Sequence, residues 1–589
     1  MAVGVLLMTN KIDVFLDQAY AAYNQGHLEK AEALCRDVLA VEPTQGDALL
    51  LLGLIAYRSG ALEPAAELLY QAVKLYPDIE SYRLTLASVL QRQGRLTEAL
   101  TMYQQVPGNP QGLAQQGFIF LDLGRTDDAR KAFHQAVNLT PDLPEARLGL
   151  ALMSDDVQQL QQVAEETHLP DAWYYLARQQ AEQGNNDLAE QSLKHVPDGV
   201  DTYDILRAVL YARNGKREQA EKIYQDILKR NPYRAEVWCN LADIYRDKGE
   251  YAAAEEYYKR ALAQNKDDIP ARQNLADLLV RQNRLAEALE EYRVLIRINN
   301  NDTLTLYNLA AILERTGNFE DAAGLYFKVL FMAHAPQETE WRIADTLTAL
   351  AERDKNGRKL ATDFARGWVK NQPNNPVAGH TLAALTGAAD PNMTEYVKRL
   401  YDAFADTYDD KMTQLKVAAM PEAITLLPEH IEGNVLDLGC GTGLFGRLMR
   451  GHIHHLTGVD ISPKMIEHAR QTDTYQSLIT DDIIHFLYQQ DTMYSLIVGI
   501  EIIPYMSEIN NFFEQVYKHL LHDGLFALSV EITTEPAPTL ALSGRYVYPR
   551  AYMTDSLRQI GFKMTTEKHI SLRREGNGFA DGLVIVAQK

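Results

Sequence analysis

Cysteine is scarce. The 589-residue chain has three, Cys35, Cys239 and Cys440, far apart in sequence and without metal-ligand spacing. A disulfide framework and a zinc-finger class are therefore excluded, and a reduced, cytoplasmic setting is expected. Long apolar runs are missing too; none approaches the ~18 residues of a membrane-spanning helix. The opening Met1 to Met8 is apolar but short, and no basic residue precedes it, which makes a poor signal peptide. Positive charge is in deficit: 58 Lys and Arg face 79 Asp and Glu, a formal charge of −21. That balance opposes general binding to a phosphate backbone, so nucleic acid is not expected as a partner. What remains is the composition of an ordinary folded protein, 46% hydrophobic and 23% charged.

What the chain has in abundance is repetition. From about residue 10 a pattern recurs every 34 residues, as in Gly53, Gly60, Ala65, Leu69, Ala72 and Pro77, and again in Gly117, Phe120, Gly124, Ala129, Phe133, Ala136 and Pro141. This is the tetratricopeptide (TPR) period. Small residues let the two helices of a hairpin approach, larger ones fill the gap to the next hairpin, and Gly and Pro end the helices. The spacing shortens near Val106–Pro110. Arg147 to Leu169 keeps a helical pattern without the repeat signature, which divides the array into residues 10–169 and 171–386. A divergent pair (Trp341 to Pro373) is expected to have a lengthened turn at Arg353–Gly357. A closing helix, Val377 to Leu385, and a linker, Gly387 to Asn392, follow it.

Arrays of this kind offer a concave face to peptides. Asn240, Asn274 and Asn308 stand 34 residues apart at one position of three successive repeats, where amides could bond the main chain of a bound peptide. This row resembles the asparagine ladder of the O-linked N-acetylglucosamine transferase. The alternative is that asparagine simply suits this position of the repeat.

Residues 393–589 change character. Strand and helix signals alternate: strands at 434–438, 455–460, 477–480, 494–500 and 524–531, separated by helices. A helix at 551–560 and a hairpin through Arg574-Glu-Gly-Asn-Gly follow. Such alternation predicts a parallel sheet covered on both faces, here with an antiparallel last strand. Its centre is Val435-Leu-Asp437-Leu-Gly439-Cys-Gly441-Thr-Gly443, an apolar strand running into a glycine turn that opens a helix. Residues 441–446 form a GxGxxG with Asp460 about where a dinucleotide site would want it. Asp437 decides between the two cofactor classes, because it would repel a pyrophosphate and attract a sulfonium and an ammonium. A nicotinamide enzyme stays as the alternative.

Read from Asp437, the turn resembles motif I of the class I S-adenosylmethionine (SAM)-dependent methyltransferases. The whole chain is similar to bacterial TPR-containing predicted methyltransferases, and more distantly to the methyltransferases of malonyl carrier protein and of quinone synthesis. The likeness extends over Phe404-Ala-x-x-Tyr408-Asp409, Gly458-Val-Asp460-Ile-Ser, Gly524 to Glu531 and Gly561-Phe562. It implies a TPR α-solenoid followed by a seven-stranded Rossmann-like sheet.

The resemblance also implies roles. Gly439, Gly441 and Gly443 form the turn beside the methionine part of SAM, and Asp437 orients its ammonium. Asp460 takes the ribose hydroxyls, with Ile461 beside it. Asp482, or alternatively Asp481, reads the adenine amino group while Ile483 and Ile500 pack near it. Phe404 and Tyr408 serve as an aromatic lid, or else as plain helix packing. Tyr505, Arg545, Tyr548 and Arg573 face the acceptor, and Glu501 is the candidate base. His452, His454 and His455 read as a solvated connection, with no metal. The sequence lacks the Asn/Asp-Pro-Pro-aromatic motif of amide and amine methylases, which favours an oxygen acceptor. The expected protein is a SAM-dependent methyltransferase whose array recruits a protein, peptide or carrier-linked substrate. The rival reading is an interaction scaffold with an inactive methyltransferase fold.

Overall fold

A computed structural model describes residues 2–154, 156–575 and 578–589. The chain forms two compact units, Met1–Ala271 and Arg272–Lys589. This boundary falls inside the helix Ile269–Arg281, within the repeat array.

The first unit is a succession of helical hairpins, among them Gly46–Arg58 with Leu62–Leu75, Pro110–Asp122 with Thr126–Leu139, and Ala235–Asp247 with Tyr251–Gln264. The packing logic of the repeat is met directly. Ala65, Ala129 and Ala254 are fully buried. The Phe133 ring fills the space left by two glycines: a Cβ on Gly117 or Gly149 would lie 2.5 or 2.2 Å from it. At the short spacing, the helix Leu96–Gln104 has nine residues, and Asn109 caps the next one by accepting from the Gly112 N–H. The stretch without the repeat signature forms two short helices, Pro144–Leu152 and Val157–Thr167.

The second unit continues with the hairpins Thr303–Arg315/Phe319–Leu330 and Thr339–Arg353/Lys355–Asn371, then the closing helix Pro376–Thr386. The turn expected to lengthen at Arg353–Gly357 is instead a single residue. Asp354 caps the second helix by accepting from the Gly357 N–H at 2.7 Å. Gly357 permits this tight reversal, since a Cβ there would stand 2.1 Å from the Leu350 carbonyl oxygen. The connection 387–392 has no regular structure, yet it is pinned. His380 Nδ1 lies 2.9 Å from Asp390 Oδ2, both side chains are buried, and the His380 ring stacks on Tyr396 at 3.6 Å. Among the described residues, no helix is long and apolar enough to cross a membrane.

The sheet strands are β1 (Ile431–Leu438), β2 (Ile453–Asp460), β3 (Ser477–Thr480), β4 (Tyr494–Gly499), β5 (Leu520–Thr533), β6 (Thr539–Leu540), β7 (Tyr546–Pro549), β8 (Lys563–Glu575) and β9 (Gly578–Gln588). Among the described residues, seven of them form the main sheet in the order β3-β2-β1-β4-β5-β9-β8. The first five are mutually parallel, and β9 runs antiparallel between β5 and β8. This is the class I methyltransferase topology. The short β6 and β7 were not legible as strands; they make a ribbon paired to the end of β5. Strand β2 starts two residues before the expected 455, so His454 and His455 belong to it and not to a connection. Of the hairpin predicted between the last two strands, Gly576 and Asn577 lie outside the described residues. Leu436, Leu438, Phe526 and Leu528 from the strands pack with Phe512, Phe513 and Phe562 in one apolar core that also takes in Ala383 and Ala384 of the closing helix.

Candidate cofactor and acceptor site

Parallel strands end together, so the turns after β1, β2, β3 and β4 meet along one edge. There, Gly439, Gly441 and Gly443 have φ of +70°, +54° and +85°, the left-handed region that glycine adopts at little cost. The Gly439 and Cys440 N–H groups both donate to the Val459 carbonyl at 2.8 and 3.0 Å, which ties the turn to β2. Asp460, the last residue of β2, accepts from Gly441 N–H through Oδ2 and from Ser462 N–H through Oδ1, each at 2.9 Å. Ser462 in turn caps the helix Pro463–Arg470.

A cavity of about 440 Å³ opens against this turn. Gly439, Gly441, Asp460, Ile461, Asp482, Ile483, Ile500 and Glu501 line it from the strand ends, and Tyr408 and Tyr505 line it from the opposite side. A Cβ on Gly441 would meet only the Tyr408 ring, at 4.0 Å, so the backbone faces open space there. Asp482 is also the N-cap of the helix Ile483–Tyr488, whereas the alternative Asp481 is engaged by His485 and lies outside the lining.

Several residues named from the sequence sit behind this surface. Asp437 is buried; Oδ2 accepts from the Tyr475 hydroxyl at 2.7 Å, while Oδ1 has no protein partner. Burial pushes its pKa up to about 7, against the lowering effect of the Tyr475 bond. Burial likewise pushes Asp460 up to about 6, opposed by the N–H groups it accepts. Gly443 packs against Tyr475, Thr472 and Ala469. Phe404 also lies outside the cavity lining, its ring against Trp341 and under the Lys411 ammonium.

Just past the end of β4, Glu501 has φ +61°, a strained backbone for a residue with a Cβ. Its carboxylate pairs with Arg545 at 3.0 Å and accepts from the Ser529 hydroxyl at 3.3 Å. Arg545 stacks over the Tyr505 ring at 5.3 Å. Tyr548 is fully buried, and its hydroxyl donates to the Met506 carbonyl. Arg573 pairs with Glu531 at 2.8 Å, both buried. These last three surround the site without lining it.

Some functional neighbours escaped the sequence reading. Tyr401 lines the cavity, donates to the Tyr505 hydroxyl at 3.1 Å and meets Tyr408 edge-on. Its signal was its place on the aromatic side of the helix Met393–Phe404. Asp409 accepts from Thr442 at 2.6 Å and pairs with Arg447 at 2.9 Å, which fastens the segment carrying Tyr408 to the glycine turn. Within the array, the Asn240 amide faces Tyr224, the Asn308 amide faces Tyr292, and Asn274 also makes an interaction of its own.

Comparison with known proteins bears on both the repeats and the sheet. The "Methyltransferase domain" family matches residues 435–524. Tetratricopeptide repeat families match within residues 16–340, including 16–79, 205–269 and 305–340. The 18S rRNA (guanine-N(7))-methyltransferase of Bos taurus is 25% identical over 159 residues, 23% of this chain and 57% of the relative. The malonyl-[acyl-carrier protein] O-methyltransferase of Pectobacterium atrosepticum is 32% identical over 74 residues, 13% of this chain and 29% of the relative. The chain thus spans under two thirds of the length of either relative. An S-adenosylmethionine dependent methyltransferase structure from Mesorhizobium loti aligns with a TM-score of 0.24 and 18% identity, over 29% of this chain and 96% of that one. The human IFIT1 dimer with m7Gppp-AAAA aligns with a TM-score of 0.41 and 14% identity, over 58% and 90%. At such scores the fold assignment rests on strand order and direction. A TPR region followed by a class I methyltransferase-like fold is what the chain contains.

Proposed function

We propose that the α/β domain is a SAM-dependent methyltransferase and that the repeats recruit a protein, peptide or carrier-linked acceptor. The observation that carries this reading is the pair of buried carboxylates, Asp437 and Asp460, beside a glycine turn facing a cavity. Such a site favours a cation, and the orphaned Asp437 Oδ1 and the open side of Gly441 fit SAM. SAM, when bound, supplies a methyl group already activated on a sulfonium. Asp437 orients the ammonium, Asp460 holds the ribose hydroxyls and Asp482 takes the adenine amino group. Ile461, Ile483 and Ile500 provide apolar walls. Tyr401 and Tyr408 close the cavity and exclude water, which leaves position and desolvation as the main catalytic means.

Glu501 and Tyr505 line the acceptor side, and Arg545 behind them holds both in place. A hydroxyl acceptor needs its proton removed, and Glu501 is the carboxylate placed to take it. An oxygen acceptor is the favoured class, a reading supported by the malonyl-carrier relative. The net charge of −21 disfavours the nucleic acid on which the other relative acts. The three cysteines are buried and form no disulfide, which suits a cytoplasmic setting.

The test is incubation with methyl-labelled SAM and proteins captured on the repeats. Transfer of label to oxygen is expected, released by alkali where a carboxylate has become a methyl ester and retained where a hydroxyl has become a methyl ether. SAM binding without any transfer would instead favour the scaffold reading.

A further inference from the structure

The opposite edge of the sheet carries a second cluster. We infer that Glu429, His430 and His452 form a binding site for a divalent transition metal ion, with zinc as the ion of choice. The cause is strand register. β1 and β2 are parallel neighbours with Ile431 paired to Ile453, and the Ile431 N–H donates to the His452 carbonyl at 3.1 Å. The residues just before each strand, His430 and His452, are therefore brought side by side, although 22 positions separate them in sequence. Their imidazoles face each other with centroids 5.0 Å apart and planes 28° apart. One ligand atom from each of the two histidines and from Glu429 lies within 4.8 Å of the others. His452 Nδ1 is buried and has no hydrogen-bond partner.

Two imidazoles and one carboxylate are a donor set for zinc, which binds them at about 2.0–2.2 Å. They do not suit calcium or magnesium, which take oxygen ligands. Closing the three atoms onto one ion needs a movement of about 1 Å. Glu429 and His430 are exposed, so their side chains have room to make it. A fourth position stays open to water. The eight-residue strand β1 separates this cluster from the glycine turn by roughly 25 Å. The ion would clamp the amino ends of β1 and β2 and take no part in methyl transfer. His454 and His455, also exposed, follow within β2 and are not part of the cluster.

The test uses the full chain without a histidine tag, stripped by chelator and titrated with zinc chloride in a calorimeter. One equivalent is expected to bind, with a rise in the melting temperature of the sheet. His430→Gln and His452→Gln should each weaken binding about tenfold or more, and Glu429→Gln by less. His455→Gln should leave it unchanged. Circular dichroism of each variant separates a lost ligand from a lost fold, and Glu429→Gln, at an exposed position, provides a variant that should fold normally. No saturable binding, or binding that survives the double His430→Gln/His452→Gln change in a folded protein, overturns the site.

Discussion

The repeats and the sheet are held by contacts of opposite range. Phe133 meets Gly117 and Gly149, sixteen residues to either side, and nothing from a distant part of the chain is needed to bury it. In the sheet, β5 is completed by β9, with Leu525 paired to Gln588, so this inner strand waits for the last residues of the chain. Damage should therefore stay local in the first region and become global in the second.

Two substitutions should separate local from global damage. Phe133→Ala and Phe526→Ala each remove a fully buried ring, a loss of about 3–5 kcal/mol. Phe526→Ala is expected to unfold the sheet and abolish SAM binding. Phe133→Ala should lower and broaden the first thermal transition while SAM binding persists. Loss of SAM binding in both variants would mean that the repeats are not locally stabilised.

The next effect concerns pH. Burial raises Asp437 to about 7 and Asp460 to about 6, so both take up protons more readily in the folded protein than in the unfolded chain. Ionising them without a ligand costs stability, which should fall as pH rises from about 4 through 7. A cationic ligand prefers the ionised forms. SAM affinity should therefore rise by about 10- to 100-fold between pH 5 and pH 8 and level off above 7. Calorimetry across that range checks it, and a flat profile would show that neither carboxylate meets the cation.

A smaller effect tests where the two regions join. Trp341, in the last repeat pair, packs on Tyr396 and Phe404, while Glu340 pairs with Arg399 at 2.5 Å. The helix they support provides Tyr401 to the cavity. Trp341→Ala is expected to weaken SAM binding several-fold, and a fragment starting near residue 393 should show the same deficit. Parent-like affinity in both would make the sheet domain self-sufficient, as a flexible linker at 387–392 would require.

The smallest effect belongs to the asparagines. Asn240→Ala loses the amide that faces Tyr224, at most about 1 kcal/mol. If the triple change at Asn240, Asn274 and Asn308 removes partner binding with no more than an additive stability loss, the amides also serve the groove. A loss of stability with partner binding intact would confine them to the repeat.

What could be read from the sequence follows from the same difference in range. Repeat helices announce themselves because every packing partner lies within one period, and Ala65, Ala129 and Ala254 behave as their spacing implied. The glycine turn was equally legible, since Gly439 to Gly443 and Asp460 are fixed by one βαβ unit. Cross-strand neighbours were not. His452 seemed to lack a ligand partner because Glu429 and His430 reach it only through β1–β2 register. Tyr475 beneath Asp437, and Arg545 against Glu501, are likewise tertiary pairings that no local spacing encodes. The turn at Asp354 failed for a different reason: polar residues read as loop, whereas a capping carboxylate and Gly357 let two helices meet at one residue.

Calorimetry of the full chain against SAM and NADH decides whether the glycine turn holds SAM. Saturable SAM binding at one site is expected, weakened by roughly 2–3 kcal/mol in Asp460→Ala, the loss of charge-assisted hydrogen bonds to the ribose. NADH should not bind. Tight binding of NADH with none of SAM, or SAM binding indifferent to Asp460→Ala in a folded protein, would contradict it.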